Sequence, residues 1–212
     1  MRTILCYGDS NTWGFIPGTG RRYEREVRWP GVLRRELGVQ FDVIEAGLNG
    51  RTTVWTDPLL EYRNGKNLLP AWLDTHKPID LVITMLGLND LKHKYAASAY
   101  DIARGAALLV DMIRKSAAGP DDGPPEALLI CPAPVGRLTT FAEMFAGAEE
   151  KSRRLPAHYS AVAEETGCHF LDAGEIVRYS DADGLHLSPE EHAKLGCAVA
   201  QAVHRIFTAP AA

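Results

Sequence analysis

The chain has 212 residues, 46% of them hydrophobic, long enough for one domain with a large core and short for two. Its 23 Lys and Arg against 27 Asp and Glu give a formal net charge of −4, and the basic residues are scattered apart from pairs such as Arg21-Arg22, Arg34-Arg35 and Arg153-Arg154, which excludes the electrostatic footprint of a nucleic-acid or anionic-membrane binder. No apolar run approaches the roughly 20 residues of a membrane span, and a strand starting within a few residues of Met1 leaves no room for a signal peptide, so a cytoplasmic location is expected.

In chain order, the first strand is expected at Thr3–Tyr7, followed at once by Gly8-Asp9-Ser10-Asn11, residues that turn a chain out of a sheet. Trp29–Leu37 reads as a helix, with Pro30 where a helix start accepts it and Gly38 where a helix end favours one. A second strand at Asp42–Ala46 runs into Gly47-Leu48-Asn49-Gly50. Asn67–His76 is a weaker helix, Pro70 near its start and Pro78 past its end. Leu81–Leu86 is the third strand. Ser98–Ala117 opens with Ser98-x-x-Asp101, a capping-box signature, and repeats apolar residues at Ile102, Ala106, Leu109 and Ile113. The Gly- and Pro-rich stretch Gly119–Pro125 is an exposed connection.

The fourth strand is expected at Ala127–Cys131. Pro132–Gly147 is irregular and then apolar, with Phe141, Met144 and Phe145. Ala148–Thr166 reads as a helix perturbed or restarted near Pro156, and His169–Ala173 as the fifth strand. Pro189–Phe207 is the clearest helix, capped by Ser188, with Pro189 at its first position and Glu191 completing a capping box. Its stripe of Leu195, Val199, Ala202, Val203 and Ile206 should face the core. The strands are short and apolar without strict alternation, as in sheets buried on both faces. Strands alternating with helices predict one α/β domain over 1–212, a five-stranded parallel sheet between two helical layers.

Cys6, Cys131, Cys168 and Cys197 form no C-x-x-C pair, and no His cluster has zinc spacing, so buried reduced thiols and no metal are expected. Ser10, Gly47, Asn89 and the pair Asp183 and His186 each fall in a loop after a strand. In a parallel sheet such loops emerge at one edge, where open α/β folds carry their ligands. A serine there needs a base, an orienting acid and oxyanion donors to act as a nucleophile.

Gly8-Asp9-Ser10, Gly47, Gly87-x-Asn89-Asp90 and Asp183-x-x-His186, in that order and context, resemble the SGNH hydrolases, the GDSL esterase and lipase family. The resemblance extends from about Arg2 to Phe207. Arg28-Trp29-Pro30-Gly31-Val32-Leu33, Gly50-Arg51-Thr52-Thr53 and Asp80–Gly87 look like the bacterial arylesterase and acetylesterase branch, some members of which also transfer acyl groups in water. Asn11 departs from the Leu that the family name implies.

The resemblance implies a flavodoxin-like three-layer α/β/α fold and a serine esterase acting on short-chain, acetyl-type esters, without cofactor. It implies Ser10 as nucleophile, His186 as general base and acid, and Asp183 as the residue orienting His186. It implies an oxyanion hole of the Ser10 and Gly47 backbone N–H groups and the Asn89 side-chain amide, Gly47 allowing close approach to the substrate because it has no Cβ. Asp9 and Asp90 are expected to hold loops by hydrogen bonds, and Arg51 to order the second loop. Trp13, Phe15, Ile16, Val135 and Leu185 are candidate apolar walls for the substrate. The acceptor would be water or an alcohol, with acyl transfer or peracid formation as side activities, and the assembly a homo-oligomer. The alternatives are a thioesterase or lysophospholipase on the same machinery, or a non-catalytic module that binds a ligand or glycan. A nucleotide-binding fold is disfavoured, since the first loop lacks G-x-G-x-x-G and a phosphate-loop Lys.

Overall fold

A computed structural model describes residues 1–208. Its sheet has the strands β1 (Arg2–Gly8), β2 (Phe41–Gly47), β3 (Leu81–Met85), β4 (Glu126–Cys131) and β5 (His169–Asp172), in the order β2-β1-β3-β4-β5 and all parallel. The helices are α1 (Ser10–Trp13), α2 (Trp29–Leu37), α3 (Gly65–His76), α4 (Ala99–Arg114), α5 (Ala148–Ser152), α6 (Leu155–Thr166) and α7 (Pro189–Thr208). From β1 the chain steps outward to β2, then returns past β1 to build β3, β4 and β5 in turn. Right-handed crossovers therefore put α2 on one face and α3, α4 and α6 on the other. Accordingly α2 packs on α7, and α4 on both α3 and α6. The step direction reverses between β1 and β3, and that switch point opens a crevice at the carboxyl edge of the sheet.

The core fills both faces of the inner strands. Ile4, Leu5, Leu81, Val82, Ile83 and Ile130 are buried without remainder, which accounts for runs that do not alternate. Edge strand β2 carries Glu45, whose largely covered carboxylate is met by Arg25, Arg28 and Arg34.

Several expected boundaries shift for tertiary reasons. Ser10–Trp13 is a helical turn, where only a turn was expected; the Asp9 carboxylate accepts the Asn11 N–H at 3.0 Å, and Gly14 ends the turn at φ +91°. Helix α3 begins two residues early, at Gly65, so Pro70 lies inside it rather than near its start. Its first N–H groups are bound by loop carbonyls, Gly65 N to Thr52 O at 3.1 Å and Lys66 N to Thr53 O at 2.9 Å. Ser98 and Asp101 form the expected capping box, but α4 ends at Arg114 and not Ala117. The stretch Ala148–Thr166 divides into α5 and α6, the second starting at Leu155 with Pro156 in its first turn. At α7, Ser188 Oγ accepts the Glu191 N–H at 3.4 Å, yet the Glu191 carboxylate turns to the Arg178 N–H at 2.8 Å, so that capping box is only half made.

Candidate active site

Gly8, the last residue of β1, delivers Asp9 and Ser10 to the crevice beside the switch point. Two neighbours fix this corner. An ideal Cβ on Gly47 would lie 2.2 Å from the Trp13 nitrogen and 2.5 Å from its Cα, so only glycine lets α1 lie on the end of β2. The room left by the missing side chain is thus taken by the helix that carries Ser10, a packing reason for glycine beside the expected close approach to substrate. The second neighbour is Arg51, wholly enclosed, whose Nη1 donates to the Gly8 carbonyl at 2.8 Å and to the Ala46 carbonyl. Its guanidinium lies 4.0 Å over the Tyr7 ring. One side chain so ties together the peptides that precede Asp9 and Gly47, and orders the second loop as expected.

The opposite wall is the turn 180–187. Ser180 N donates to the His186 carbonyl and Gly184 N to the Ser180 carbonyl, both at 2.8 Å, while Gly184 takes φ +77° and lets the turn close. Asp183 Oδ1 accepts the N–H groups of Leu185 and His186 at 3.0 Å each. Its Oδ2 accepts the Gly18 N–H at 3.2 Å and lies 2.8 Å from His186 Nδ1. Burial would raise the Asp183 carboxyl, but hydrogen bonding and the charge of His186, with the two backbone donors, outweigh it and hold it below the usual carboxylate range. His186 Nε2 is 3.0 Å from Ser10 Oγ. Phe15 stacks on the imidazole with ring centroids 4.1 Å apart, and Phe141 meets it edge-on at 6.1 Å. Residues 176 positions apart in sequence therefore share a continuous Ser10–His186–Asp183 line.

Asn89 enters from the loop after β3, its Nδ2 3.4 Å from Asp9 Oδ2. Asp9 is fully enclosed, and burial pushes its carboxyl up to about 6 against the Asn11 N–H and the charges of His186, Arg51 and Lys92. Asp90, beside it, accepts the Thr53 N–H at 3.0 Å and the Thr53 hydroxyl, and burial lifts it to about 7. Both acids hold loops, Asp9 the Ser10 turn and Asp90 the loop after β2.

These groups bound a cavity of about 180 Å³ lined by Ser10, Phe15, Asn49, Gly50, Leu88, Asn89, Lys92, Phe141, Met144, Phe145, Leu185 and His186. Of the candidate wall residues, Phe15 and Leu185 face it; Trp13, Ile16 and Val135 do not. Trp13 is turned to Arg22, whose guanidinium lies 4.9 Å over its ring. The Ile16 backbone pairs with the Arg21 carbonyl, and buried Val135 gives its N–H to Ser152 Oγ at 3.0 Å. In sequence Phe15 and its neighbours lie equally near Ser10; the hairpin from Phe15 to Arg22 decides which one turns inward.

Two residues of the site were not singled out for these roles. Lys92 follows Asn89 by three residues, a spacing that a tight 3₁₀ turn brings to one side. Asn11, the departure from the GDSL pattern, clamps the opposite wall: its Nδ2 donates to the Leu185 carbonyl at 3.0 Å and its Oδ1 accepts the Leu187 N–H at 3.0 Å. It thereby grips the peptides on both sides of His186. Asn11→Ala is expected to lower the unfolding free energy by about 2–5 kcal/mol, because a buried carbonyl and a buried N–H lose their partners together. Urea denaturation reads the stability, and steady-state kinetics should show kcat falling more than KM rises; an unchanged kcat would mean the turn holds His186 without the clamp.

Among the described residues, no group of three or more His, Cys, Asp and Glu side chains is placed to hold a metal ion, and no helix is long and apolar enough to cross a membrane. The model of the GDSL-like lipase/acylhydrolase family matches residues 6–194. No curated protein matches the chain. Among solved structures, Est24, a carbohydrate acetylesterase from Sinorhizobium meliloti, is 39% identical with a TM-score of 0.94, over 98% of this chain and 100% of that one. The aryl esterase of M. smegmatis is 40% identical with a TM-score of 0.92, over 96% and 99% of the two chains. A G-D-S-L family protein from Veillonella parvula DSM 2008, 12% identical with a TM-score of 0.71 over 97% and 100%, shares the fold.

Proposed function

The chain belongs to the GDSL-like lipase/acylhydrolase family and is a carboxylic ester hydrolase, and on that premise we propose that it works through an acyl-enzyme on Ser10. The observation that carries the reading is the pair of contacts, 3.0 Å from Ser10 Oγ to His186 Nε2 and 2.8 Å from His186 Nδ1 to Asp183 Oδ2. Ser10 Oγ attacks the ester carbonyl while His186 Nε2 takes its proton. Asp183 keeps the ring proton on Nδ1 and stabilises the imidazolium. The carbonyl oxygen becomes an oxyanion received by the Ser10 and Gly47 N–H groups and Asn89 Nδ2. Collapse of the tetrahedral intermediate breaks the bond to the alcohol, which leaves with the proton from His186. Water then attacks the acyl carbonyl as His186 Nε2 takes its proton, and collapse of this second tetrahedral intermediate breaks the bond to Ser10 Oγ, which recovers the proton from His186 as the acid leaves.

A cavity of about 180 Å³ suits short acyl groups, whose methylenes pack on Phe15, Phe141, Phe145 and Leu185. Acetyl esters of sugars or aryl alcohols are the substrates on which this reading settles, in line with the carbohydrate acetylesterase and aryl esterase to which the chain is similar. The same apolar walls hold an organic alcohol against water, which supports acyl transfer as a side reaction, and hydrogen peroxide in its place would give a peracid. Purified protein is expected to hydrolyse p-nitrophenyl acetate and to take up a fluorophosphonate on Ser10, located by peptide mass spectrometry. Absence of hydrolysis, or a label on another residue, would refute the proposal.

A further inference from the structure

Lys92 forms part of the cavity wall and is only 6% exposed. Its backbone sits at the break between two 3₁₀ turns, with φ −54° and ψ 133°. Its ammonium lies 6.0 Å from the centroid of the Phe145 ring and close over Gly50, where a Cβ would be 3.7 Å away. Among the described residues, Nζ has no hydrogen bond and no carboxylate within 4.0 Å. The acids whose charge reaches it are engaged elsewhere. Asp57 is held by Lys94 at 2.6 Å and Tyr95 at 3.0 Å, Asp90 by Thr53, and Asp9 by the Asn11 N–H and Asn89. Burial, and next the charge of Lys94, disfavour the charged form of Lys92, and burial also draws Asp9 and Asp90 toward their neutral forms. On the same wall Asn49 keeps its Oδ1 buried and without a partner.

Most of Lys92 is buried in the wall and its ammonium has no counter-ion among the described residues, so a ligand that supplies the anion lowers the cost of holding the charge there. The rest of the wall is apolar at Phe15, Leu88, Phe141, Met144, Phe145 and Leu185, so a charge-assisted hydrogen bond made there is weakly screened. We propose that Lys92 is the anion-recognising group of this cavity and that the preferred substrates are short esters carrying a carboxylate or similar anion beside the scissile bond. The inference rests on the reading of Ser10 as the nucleophile and narrows its substrate class.

The test compares charged and neutral esters in two arms. Ethyl hydrogen succinate against ethyl butyrate puts the charge on the acyl side, and 4-acetoxybenzoate against phenyl acetate puts it on the alcohol side. In at least one arm the charged-to-neutral ratio of kcat/KM should be about 30-fold higher in the wild type than in Lys92→Met. Lys92→Arg should keep most of it. Ratios that do not move in either arm would overturn the proposal, as would an equal loss on neutral esters. Should Lys92→Met not fold, the wild type tests the same claim: benzoate should inhibit phenyl acetate hydrolysis at lower concentration than benzamide, and equal inhibition would overturn it. Failure to turn over any ester, with no fluorophosphonate on Ser10, would instead overturn the hydrolase mechanism itself.

Discussion

Ser10→Ala is expected to lower kcat by about 10⁶-fold, the loss typical when a serine nucleophile with a working base is removed. The substitution deletes one atom, Oγ, whose only hydrogen-bond partner among the described residues is His186 Nε2. The scaffold around it does not depend on that atom. The Asp9 carboxylate caps the helical turn, and the Ser10 carbonyl still accepts from Gly14 and Phe15 at 2.9 and 3.0 Å. The thermal midpoint should therefore stay within a few degrees of the parent, and Asn89 and the apolar wall should still bind substrate. Residues that act as one unit are not additive, so Ser10→Ala with His186→Ala should be no slower than Ser10→Ala alone. Active-site titration with a chromogenic ester excludes contaminating wild type. A single variant retaining 1% of the parent rate would remove Ser10 from the mechanism, and a double variant 100-fold slower than the single would show that His186 acts independently of it.

The sheet and the four loop blocks that meet at its edge are legible because each rests on local chemistry. Apolar runs ending in Gly, Asp and Asn mark strands that turn out of a buried sheet, and alternation with helices leaves a parallel sheet as the natural arrangement. The parallel sheet in turn brings Ser10, Gly47, Asn89 and the Asp183–His186 turn to one edge. What the residues did not display is direction. Trp13, Phe15 and Ile16 are equally apolar and equally close to Ser10, but only Phe15 turns onto the His186 ring. Helix α3 starts at Gly65 because carbonyls of Thr52 and Thr53 await its first N–H groups, and no neighbour in sequence announces that. Nor does the sequence display what Gly47 packs on, since its bare Cα faces the Trp13 backbone. Asn11 departs from the family pattern in sequence, while in the fold its amide spans Leu185 and Leu187, 174 and 176 residues away. Lys92 reads as one more surface lysine until the fold encloses it. Long-range pairings of this kind follow from the finished topology, whereas periodicity and capping are written residue by residue.

Asp183→Asn should lower kcat by about 10⁴-fold while leaving the fold intact, and the hydrogen bonds at this position say why. Asp183 Oδ1 is claimed by the N–H groups of Leu185 and His186, two donors at 3.0 Å that only an oxygen can satisfy. An Asn side chain must therefore put its carbonyl oxygen there and its NH₂ in the place of Oδ2. That NH₂ faces His186 Nδ1, now 2.8 Å from Oδ2, and donates where the carboxylate accepted. The imidazole must shift its proton to Nε2, which then points an N–H at Ser10 Oγ and has no lone pair with which to take the serine proton. The imidazolium also loses its charge partner. The Gly18 N–H, 3.2 Å from Oδ2, loses its acceptor as well, so a destabilisation of about 1–3 kcal/mol accompanies the kinetic loss. Steady-state kinetics on p-nitrophenyl acetate should place the defect in kcat with KM close to the parent value. The ¹⁵N chemical shifts of the His186 ring should report the proton on Nε2 in the variant and on Nδ1 in the parent. A variant with the parent tautomer and a kcat within tenfold of the parent would mean that Asp183 holds the turn and contributes nothing to catalysis.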